Sequence, residues 1–338
     1  MAEQRTFAGL AWSTKGKVTR RERFLAEMNA VIPWRRLIAR IEPHYPKTGK
    51  GRQPLGLEKM LRIYFLQQWF DLSDPQAEDS IYDSESMRRF VGVELGEDTI
   101  PDESTILRFR HLLEEHGLTE AIFREVRGLL EEKNLLLESG TIVDATIVHA
   151  PSSTKNQRKA RDPEMRQTKK GNTYYFGMKM HVGTDVKGIV HHVTVTDAAQ
   201  PDINQLPDLM HGQERALYGD KAYWCEGDRQ AYEAVGVRYR VNRRGTKSRP
   251  LTERWKQINR ARSRVRARGE HAFHVVKRLW GFQKVRYRGL AKNAARAYTA
   301  SRSRTCTWCA TDWPHPGRRA PCDRGRAPNR CFSDGRGA

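Results

Sequence analysis

The sequence predicts a helical N-terminal region followed by an α/β domain built on a mixed sheet. Apolar residues recur at helical spacing up to about residue 138, whereas β-branched and alternating runs typical of strands begin after Gly140. Strands that come first and then alternate with helices indicate a mixed sheet with helices on its faces. The 338 residues are enough for about two domains of this kind.

Three segments carry the helical prediction for residues 1–138. GLEKMLRIYFLQQWF has apolar residues at helical spacing, and LTEAIFREVRGLLEEKNLLL repeats this pattern just before Gly140. A further helix is predicted after Pro101, and it places Arg108 and Arg110 away from its apolar face. We therefore predict an all-helical N-terminal domain.

Residues 139–300 are predicted to form the α/β domain. TIVDATIV is a candidate buried strand, and YYFGMKMHVGTD alternates as a half-buried strand with Lys179 on its polar side. Gly188 separates this strand from IVHHVTVTD, which predicts a hairpin. The remaining predicted elements are the helix INQLPDLMHG, the strand RALYGD, the helix CEGDRQAYEAVG, the strand VRYRVN and a helix from about Thr252 to about Leu279.

The segment 151–173 joins the first two predicted strands and carries seven Lys or Arg against two acids. Its polarity predicts a mobile loop. Two interpretations remain open at this point: a solvated loop without a partner, and an arm that contacts phosphates.

The last segment, 301–338, differs in composition from the rest of the chain. It contains eight Arg and four of the five cysteines, but no Leu, Ile, Val, Met or Lys. Such a composition cannot build a core, so we predict a disordered Arg/Cys-rich tail. The abrupt change near residue 300 is typical of a reading-frame shift in the gene.

The charge of the chain favours a polyanionic partner. Its 61 Lys and Arg against 40 Asp and Glu give a formal net charge of +21, and nucleic acid is the usual partner of so basic a protein. No run of roughly 18 apolar residues indicates a membrane span. The N-terminus lacks the apolar core of a secretory signal, so we expect a cytoplasmic, nucleoid-associated protein.

Three acids are the candidate catalytic residues: Asp144 in TIVDATIV, Asp220 in ALYGDKAYW and Glu270 in RVRARGEHAFHVVKR. A carboxylate in a buried strand is costly unless its charge is compensated. Three such acids gathered around two Mg²⁺ or Mn²⁺ ions would provide compensation and a phosphodiester-cleaving site. In this arrangement Asp144 bridges the two ions. The open alternatives are a strand-end cap for Asp144 and a turn residue for Asp220.

The predicted long helix has two faces. Glu270 shares a face with Arg266, His274 and Lys277, and residues 240–292 contain 18 Lys or Arg against two acids. This excess favours a polyanion surface, while an ordinary solvated face remains the alternative for Glu270 itself. The opposite, apolar face is predicted to consist of Ile258, Ala261, Val265, Ala272, Val276 and Leu279.

Five segments together resemble bacterial insertion-sequence transposases of the DDE class, most closely the insertion-sequence-five family. They are GLEKMLRIYFLQQWFDLSD, PDESTILRFRHLLEEHGL, GTIVDATIVHAPSSTKN, YYFGMKMHVGTD and YGDKAYW, and the resemblance covers about residues 5 to 300. It implies an RNase-H-like catalytic domain preceded by a helical region that helps to recognise the ends of the element. It also implies cutting at terminal inverted repeats and joining to target DNA, usually by a homodimer or higher multimer.

The resemblance assigns the three catalytic acids to Asp144, Asp220 and Glu270 as ligands of magnesium or manganese. Around Glu270 the family signature Tyr-x2-Arg-x3-Glu-x6-Lys is matched by Arg266 and Lys277, but Ser263 stands in place of the tyrosine. We therefore expect DNA contacts from Arg266 and Lys277. The further basic residues for which we expect DNA contacts are Lys179, Arg108 and Arg110.

Two other functions remain open from the sequence. Family members continue with an apolar helix where this chain has its Arg/Cys-rich tail, and this difference motivates a non-catalytic DNA-binding relic as the alternative. A structure-specific nuclease on the same fold is a third function, because a fold does not determine a function.

Overall fold

The computed structural model describes residues 12, 14–49, 53–136, 139–157, 159–246 and 248–312. The N-terminal part of this structure is helical. Its α-helices are α1 (Arg20–Val31), α2 (Trp34–Ile41), α3 (Leu57–Phe70), α4 (Asp74–Asp83), α5 (Glu85–Val91), α6 (Glu103–Glu115) and α7 (Leu118–Glu132).

Helix α3 is the centre of this region, because it is buried on nearly every side. Its Phe65 stacks on Trp69, and Trp69 meets Phe24 and Phe90 edge-on. The surrounding helices begin at residues whose side chains satisfy free backbone N–H groups. Thr19 and Ser73 form capping boxes at α1 and α4, respectively.

The second part of the structure is built on one six-stranded sheet. Strand β1 pairs antiparallel with β3 on one side and parallel with β5 on the other, β3 pairs antiparallel with β4, and β5 pairs parallel with β6. This is the RNase-H-like strand order, so the predicted fold class is confirmed. The strands are β1 (Thr141–His149), β2 (Arg166–Lys170), β3 (Thr173–Asp185), β4 (Val190–Asp197), β5 (Ala216–Tyr218) and β6 (Arg238–Tyr239).

Three helices complete the second part: α8 (Glu226–Ala234), α9 (Glu253–His274) and α10 (Leu290–Asp312). Helix α9, which corresponds to the predicted long basic helix, packs against β1. Helix α10 packs against β4 and also against α1, α3 and α7, so it joins the sheet to the N-terminal helices. No helix in the described ranges is long and apolar enough to span a membrane.

The end of α9 corrects the predicted apolar face. Ala272 and Val276 are buried as expected, but Leu279 is 62% exposed and Ala261 is also exposed. Residues Val275–Leu279 form a π-helical turn. This wider turn rotates the residues that follow it relative to an α-helix, so Val275 turns into the core and Leu279 out to solvent.

Several connections also differ from the sequence-based prediction. The segment 151–173 contains β2, which pairs with residues 173–177 of β3, so it is not a structureless loop. INQLPDLMHG forms two short 3₁₀ turns, Asp202–Gln205 and Pro207–Leu209, because a proline interrupts it. Helix α10 runs on to Asp312, so the predicted disorder does not begin at residue 301. Residues 313–338 of the predicted tail lie outside the described residues.

A β-bulge changes the orientation of two histidines in β4. Gly183 pairs with His192 and Thr184 pairs with Val190, which leaves His191 without a partner in the register. In a regular strand, two successive side chains point to opposite sides. The bulge instead brings their Nδ1 atoms to 2.7 Å, and His191 Nε2 lies 3.2 Å from the Thr141 hydroxyl.

Candidate active site

Asp144 lies in the middle of β1, the strand at which the sheet changes from antiparallel to parallel pairing. Its Oδ1 accepts a hydrogen bond of 2.9 Å from the backbone N–H of Ala145. Burial raises the pKa of this carboxyl to about 6, against an opposing effect of Arg266, while the charges of Asp220 and Glu270 raise it further. Asp144 is therefore a carboxylate whose negative charge the surrounding protein does not fully compensate.

Asp220 follows the end of β5, and the parallel pairing of Ile142 with Tyr218 brings it to the same edge of the sheet as Asp144. Gly219 permits this approach: a Cβ there would come to 3.2 Å from both Val143 Cγ2 and Tyr223 Cβ. The Oδ1 of Asp220 caps a 3₁₀ turn by accepting from Ala222 N at 2.7 Å. The turn suggested by the sequence is real, and it occupies only one of the two carboxylate oxygens.

Glu270 projects from α9 beside this edge, with 57% of its side chain exposed. Its Oε1 accepts a hydrogen bond of 3.1 Å from Arg266 Nη2, one turn earlier in the helix. The neighbouring Gly269 packs against Ile142 of β1. The close contact between helix and strand thus positions Glu270 next to the strand that carries Asp144.

One cleft of about 470 Å³ contains all three predicted acids. They come from three different elements, β1, the β5 end and α9, so tertiary folding brings them together. Basic residues share this cleft and balance part of its negative charge. The lining residues are Asp144, Ala145, Thr146, Ile147, Thr168, Lys169, Lys170, Lys179, Asp202, Asp220, Arg266, Glu270 and Phe273.

The three carboxylates share the cleft without already forming a metal-binding cage. Within the described ranges, no three His, Cys, Asp or Glu side chains are grouped so that they could hold a metal ion. Glu270 is engaged by Arg266 and is exposed enough to turn.

Asp202 is a fourth acid in the cleft that sequence reasoning missed. It begins the first 3₁₀ turn after β4, and its Oδ1 lies 2.9 Å from Lys179 Nζ and 3.9 Å from His181 Nδ1. Asp202 lies five residues beyond the end of β4 and directly before the segment INQLPDLMHG, which was predicted as an α-helix. No local pattern in the sequence marked it as a residue of the cleft.

The predicted DNA-contacting residues fall into different environments. Arg266 and Lys179 line the cleft, but each is paired with an acid, Glu270 and Asp202, respectively. Lys277 is half-buried and donates to the carbonyl oxygen of Ile147 at 2.6 Å. Burial lowers the pKa of Lys277, and the charge of Lys170 lowers it further. The DNA contacts of these three residues stay predictions.

The two arginines of α6 differ in their exposure to solvent. Arg108 is exposed, whereas Arg110 is 6% exposed. Arg110 pairs with Asp74 at 2.9 Å and with Glu114 at 3.2 Å. Its position corrects the expectation of a DNA contact, because a guanidinium held in the core by two acids does not reach a phosphate. Arg108 remains a predicted contact.

Two family models match the chain. "Transposase domain (DUF772)" matches residues 13–112, and "Transposase DDE domain" matches residues 136–306. The chain belongs to the DDE transposase family. This assignment confirms the resemblance and the function class predicted from the sequence, a DNA transposase. Proteins of this family use divalent metal ions. The narrower assignment to the insertion-sequence-five family stays a prediction.

The chain is also similar to solved structures of Mos1. The Mos1 strand transfer complex is 13% identical, with 79% of this chain and 81% of that chain covered and a TM-score of 0.24. The Mos1 paired-end complex with the left transposon end is 14% identical, with 79% and 82% covered and a TM-score of 0.22. A pre-cleavage Mos1 transpososome is 11% identical, with 87% and 98% covered and a TM-score of 0.22.

Proposed function

We propose that this DDE transposase is catalytically active: it cuts DNA at the terminal inverted repeats of an insertion sequence and joins the ends to target DNA. The observation that carries this proposal is the single cleft shared by Asp144, Asp220 and Glu270. Acids from a strand, a strand end and a basic helix meet there in a protein of net charge +21. Such a site is suited to a negatively charged substrate whose charge is partly neutralised by cations.

The donor set fits hard divalent cations. Carboxylate oxygens are the ligands that Mg²⁺ and Mn²⁺ prefer, and we expect two ions held by Asp144, Asp220 and Glu270. The raised pKa of Asp144, caused first by burial, supports this assignment, because a nearby cation is the missing compensation for its charge. When bound, the ions would supply activation of the attacking oxygen and stabilisation of the leaving oxygen.

The residues around these acids have their own roles. Asp220 keeps one oxygen on the Ala222 N–H, which fixes its orientation and leaves the other oxygen available. Arg266, once Glu270 turns away from it, has a guanidinium free to pair with a phosphate in the same cleft. Double-stranded DNA is the substrate that this arrangement implies, and assembly as a homodimer or higher multimer on it stays a prediction.

The test is transfer of a labelled inverted-repeat end into plasmid DNA with Mg²⁺ or Mn²⁺. We expect Asp144→Asn, Asp220→Asn and Glu270→Gln each to abolish joining while DNA binding and the circular-dichroism spectrum are retained. The matched control is Asp208→Asn, an exposed acid outside the cleft, which should join DNA at the wild-type rate. A variant that still joins ends removes its residue from the proposed site.

The same assay separates the two other functions. Wild-type protein that binds inverted repeats but neither cuts nor joins them, with either metal, is the non-catalytic relic. Hydrolysis of unrelated duplexes without joining identifies a nuclease. Either result overturns the proposal of an active transposase.

A further inference from the structure

The segment between β1 and β3 ends in a two-stranded ribbon formed by β2 and the first residues of β3. We propose that this basic ribbon, residues 166–177, holds the sugar–phosphate backbone of the duplex that enters the cleft. The inference rests on the proposed function, and it assigns a DNA-contacting surface that the three acids do not provide.

The charge of the basic ribbon is all of one sign. Arg166, Lys169 and Lys170 are exposed, and no Asp or Glu occurs from Met165 to Met180. In the described part of the chain, none of these three cations forms an ion pair, whereas Lys179 does. An exposed surface that served solubility alone would mix its charges. Cations without an ion-pair partner on an exposed ribbon fit a polyanion.

The ribbon lies at the cleft that contains the proposed catalytic acids. Thr168, Lys169 and Lys170 line the same cleft as Asp144 and Asp220. A backbone passing over these lysines is therefore within reach of the proposed catalytic acids.

The base of the ribbon is fixed rather than mobile. The Oδ2 of Asp162 accepts a hydrogen bond of 2.7 Å from Gly289 N, and the Oε2 of Glu164 accepts one of 2.7 Å from Leu290 N at the start of α10. The guanidinium of Arg161 lies 5.4 Å from the Phe176 ring. These contacts hold the ribbon in place before DNA arrives, which lowers the entropy cost of binding.

The ribbon also exposes an aromatic side chain. Tyr174 is 62% exposed, and Lys169 Nζ lies 5.3 Å from the centre of its ring. A tyrosine hydroxyl beside a lysine donates readily to phosphate oxygens. Contacts that lysine and tyrosine side chains make with the sugar–phosphate backbone do not depend on the base sequence. The ribbon should therefore bind transposon ends and unrelated duplexes equally well.

The test measures duplex affinity by fluorescence anisotropy from 50 to 300 mM NaCl without metal, with the full chain. Lys169→Gln/Lys170→Gln should bind more weakly, with a log–log salt slope shallower by about 1.8, since each lost phosphate contact removes about 0.9. Inverted-repeat and unrelated duplexes should be affected equally. The matched control is Arg215→Gln/Arg238→Gln, which removes two exposed charges at the β5–β6 side of the sheet.

A second measurement locates the contact on DNA. A photo-crosslinking amino acid in place of Asn172 at the ribbon turn should crosslink to backbone near the cleavage position. An unchanged salt slope in the lysine variant, an equal change in the arginine control, or crosslinks only far from the cleavage position overturns the proposal. Wild-type protein that binds DNA without cutting it defeats the proposed function, while the ribbon is still judged by the salt slopes.

Discussion

Gly269 of α9 packs directly against Ile142 of β1. A Cβ at Gly269 would lie 2.9 Å from Ile142 Cγ2 and 3.4 Å from the hydroxyl oxygen of Thr184. Because Glu270 follows this glycine and Asp144 lies two residues after Ile142, the contact sets the distance between the elements that carry two of the proposed catalytic acids.

We expect Gly269→Ala to push α9 away from the sheet. Overpacking costs about 1–3 kcal/mol, and the helix propensity of alanine offsets up to about 1 kcal/mol of this. Displacement of Glu270 should lower the strand-transfer rate by up to about 100-fold. The control is Gly128→Ala in α7, where the added Cβ meets nothing within 4 Å. Urea unfolding and the joining assay check both variants, and equal behaviour of the two would refute the close-packing argument.

Substitutions of Arg110 and Arg108 should separate an effect on stability from an effect on DNA binding. Arg110→Met leaves Asp74 and Glu114 without their buried partner and should cost about 3 kcal/mol of unfolding free energy. Arg108→Met, at an exposed position, should change stability by less than about 0.5 kcal/mol and weaken duplex binding. Denaturation and anisotropy measure the two effects. Arg110→Met with full stability would contradict the structural role.

From the π-helical turn after α9 we predict effects on stability opposite to those that the sequence pattern indicates. Leu279→Ala should leave the unfolding free energy within about 0.5 kcal/mol of wild type, because Leu279 is 62% exposed. Val276→Ala, at a position 1% exposed, should cost about 2 kcal/mol through lost burial and a residual cavity. A larger cost at Leu279 than at Val276 would mean that the helix continues as a regular α-helix.

Acid should destabilise the fold through His192. Burial, followed by the charge of Arg127, lowers the pKa of His192 to about 4 from the usual 6.5. His191, His211, Glu214 and Glu131 also face this ring or its neighbours. The unfolded chain takes up a proton near pH 6.5 and the folded chain does not, so this contribution to stability is complete above pH 6.5 and is lost as the pH falls towards 4.

The corresponding variant is His192→Gln, which should make the unfolding free energy depend less on pH between 5 and 7.5. The exposed His274 provides the control, His274→Gln, which should keep the wild-type slope. Urea midpoints at several pH values measure the slopes. A His192→Gln protein with an unchanged slope would show that this histidine does not carry the effect.

The sequence predicted the elements whose pattern depends on local geometry. The β-branched run around Asp144, the hairpin across Gly188 and the basic helix around Glu270 all have periods that follow from backbone structure alone. The mixed sheet also followed, since strands that come first and then alternate with helices indicate one. The shared cleft of the three acids was predicted through family resemblance, because spacing of 76 and 50 residues along the chain carries no geometric information.

The missed features depend on tertiary contacts that a local pattern does not contain. Arg110 is polar by type and yet buried, because Asp74 and Glu114 lie where the core closes over it. The bulge at His191 and the π-helical turn that ends at Leu279 each shift the register by one residue, which reverses an inside–outside assignment. Strand β2 looked like a loop because none of its five side chains is buried.

Helix α10 has a practical consequence for dividing the polypeptide. It covers β4 on one side and touches α1, α3 and α7 on the other, and its buried Arg296 bonds to Asp71 in the turn after α3. If the chain were divided at residue 138, each of the two fragments would therefore lose residues that cover its core. Isolated halves should aggregate on expression, and the two halves produced together should recover a soluble complex.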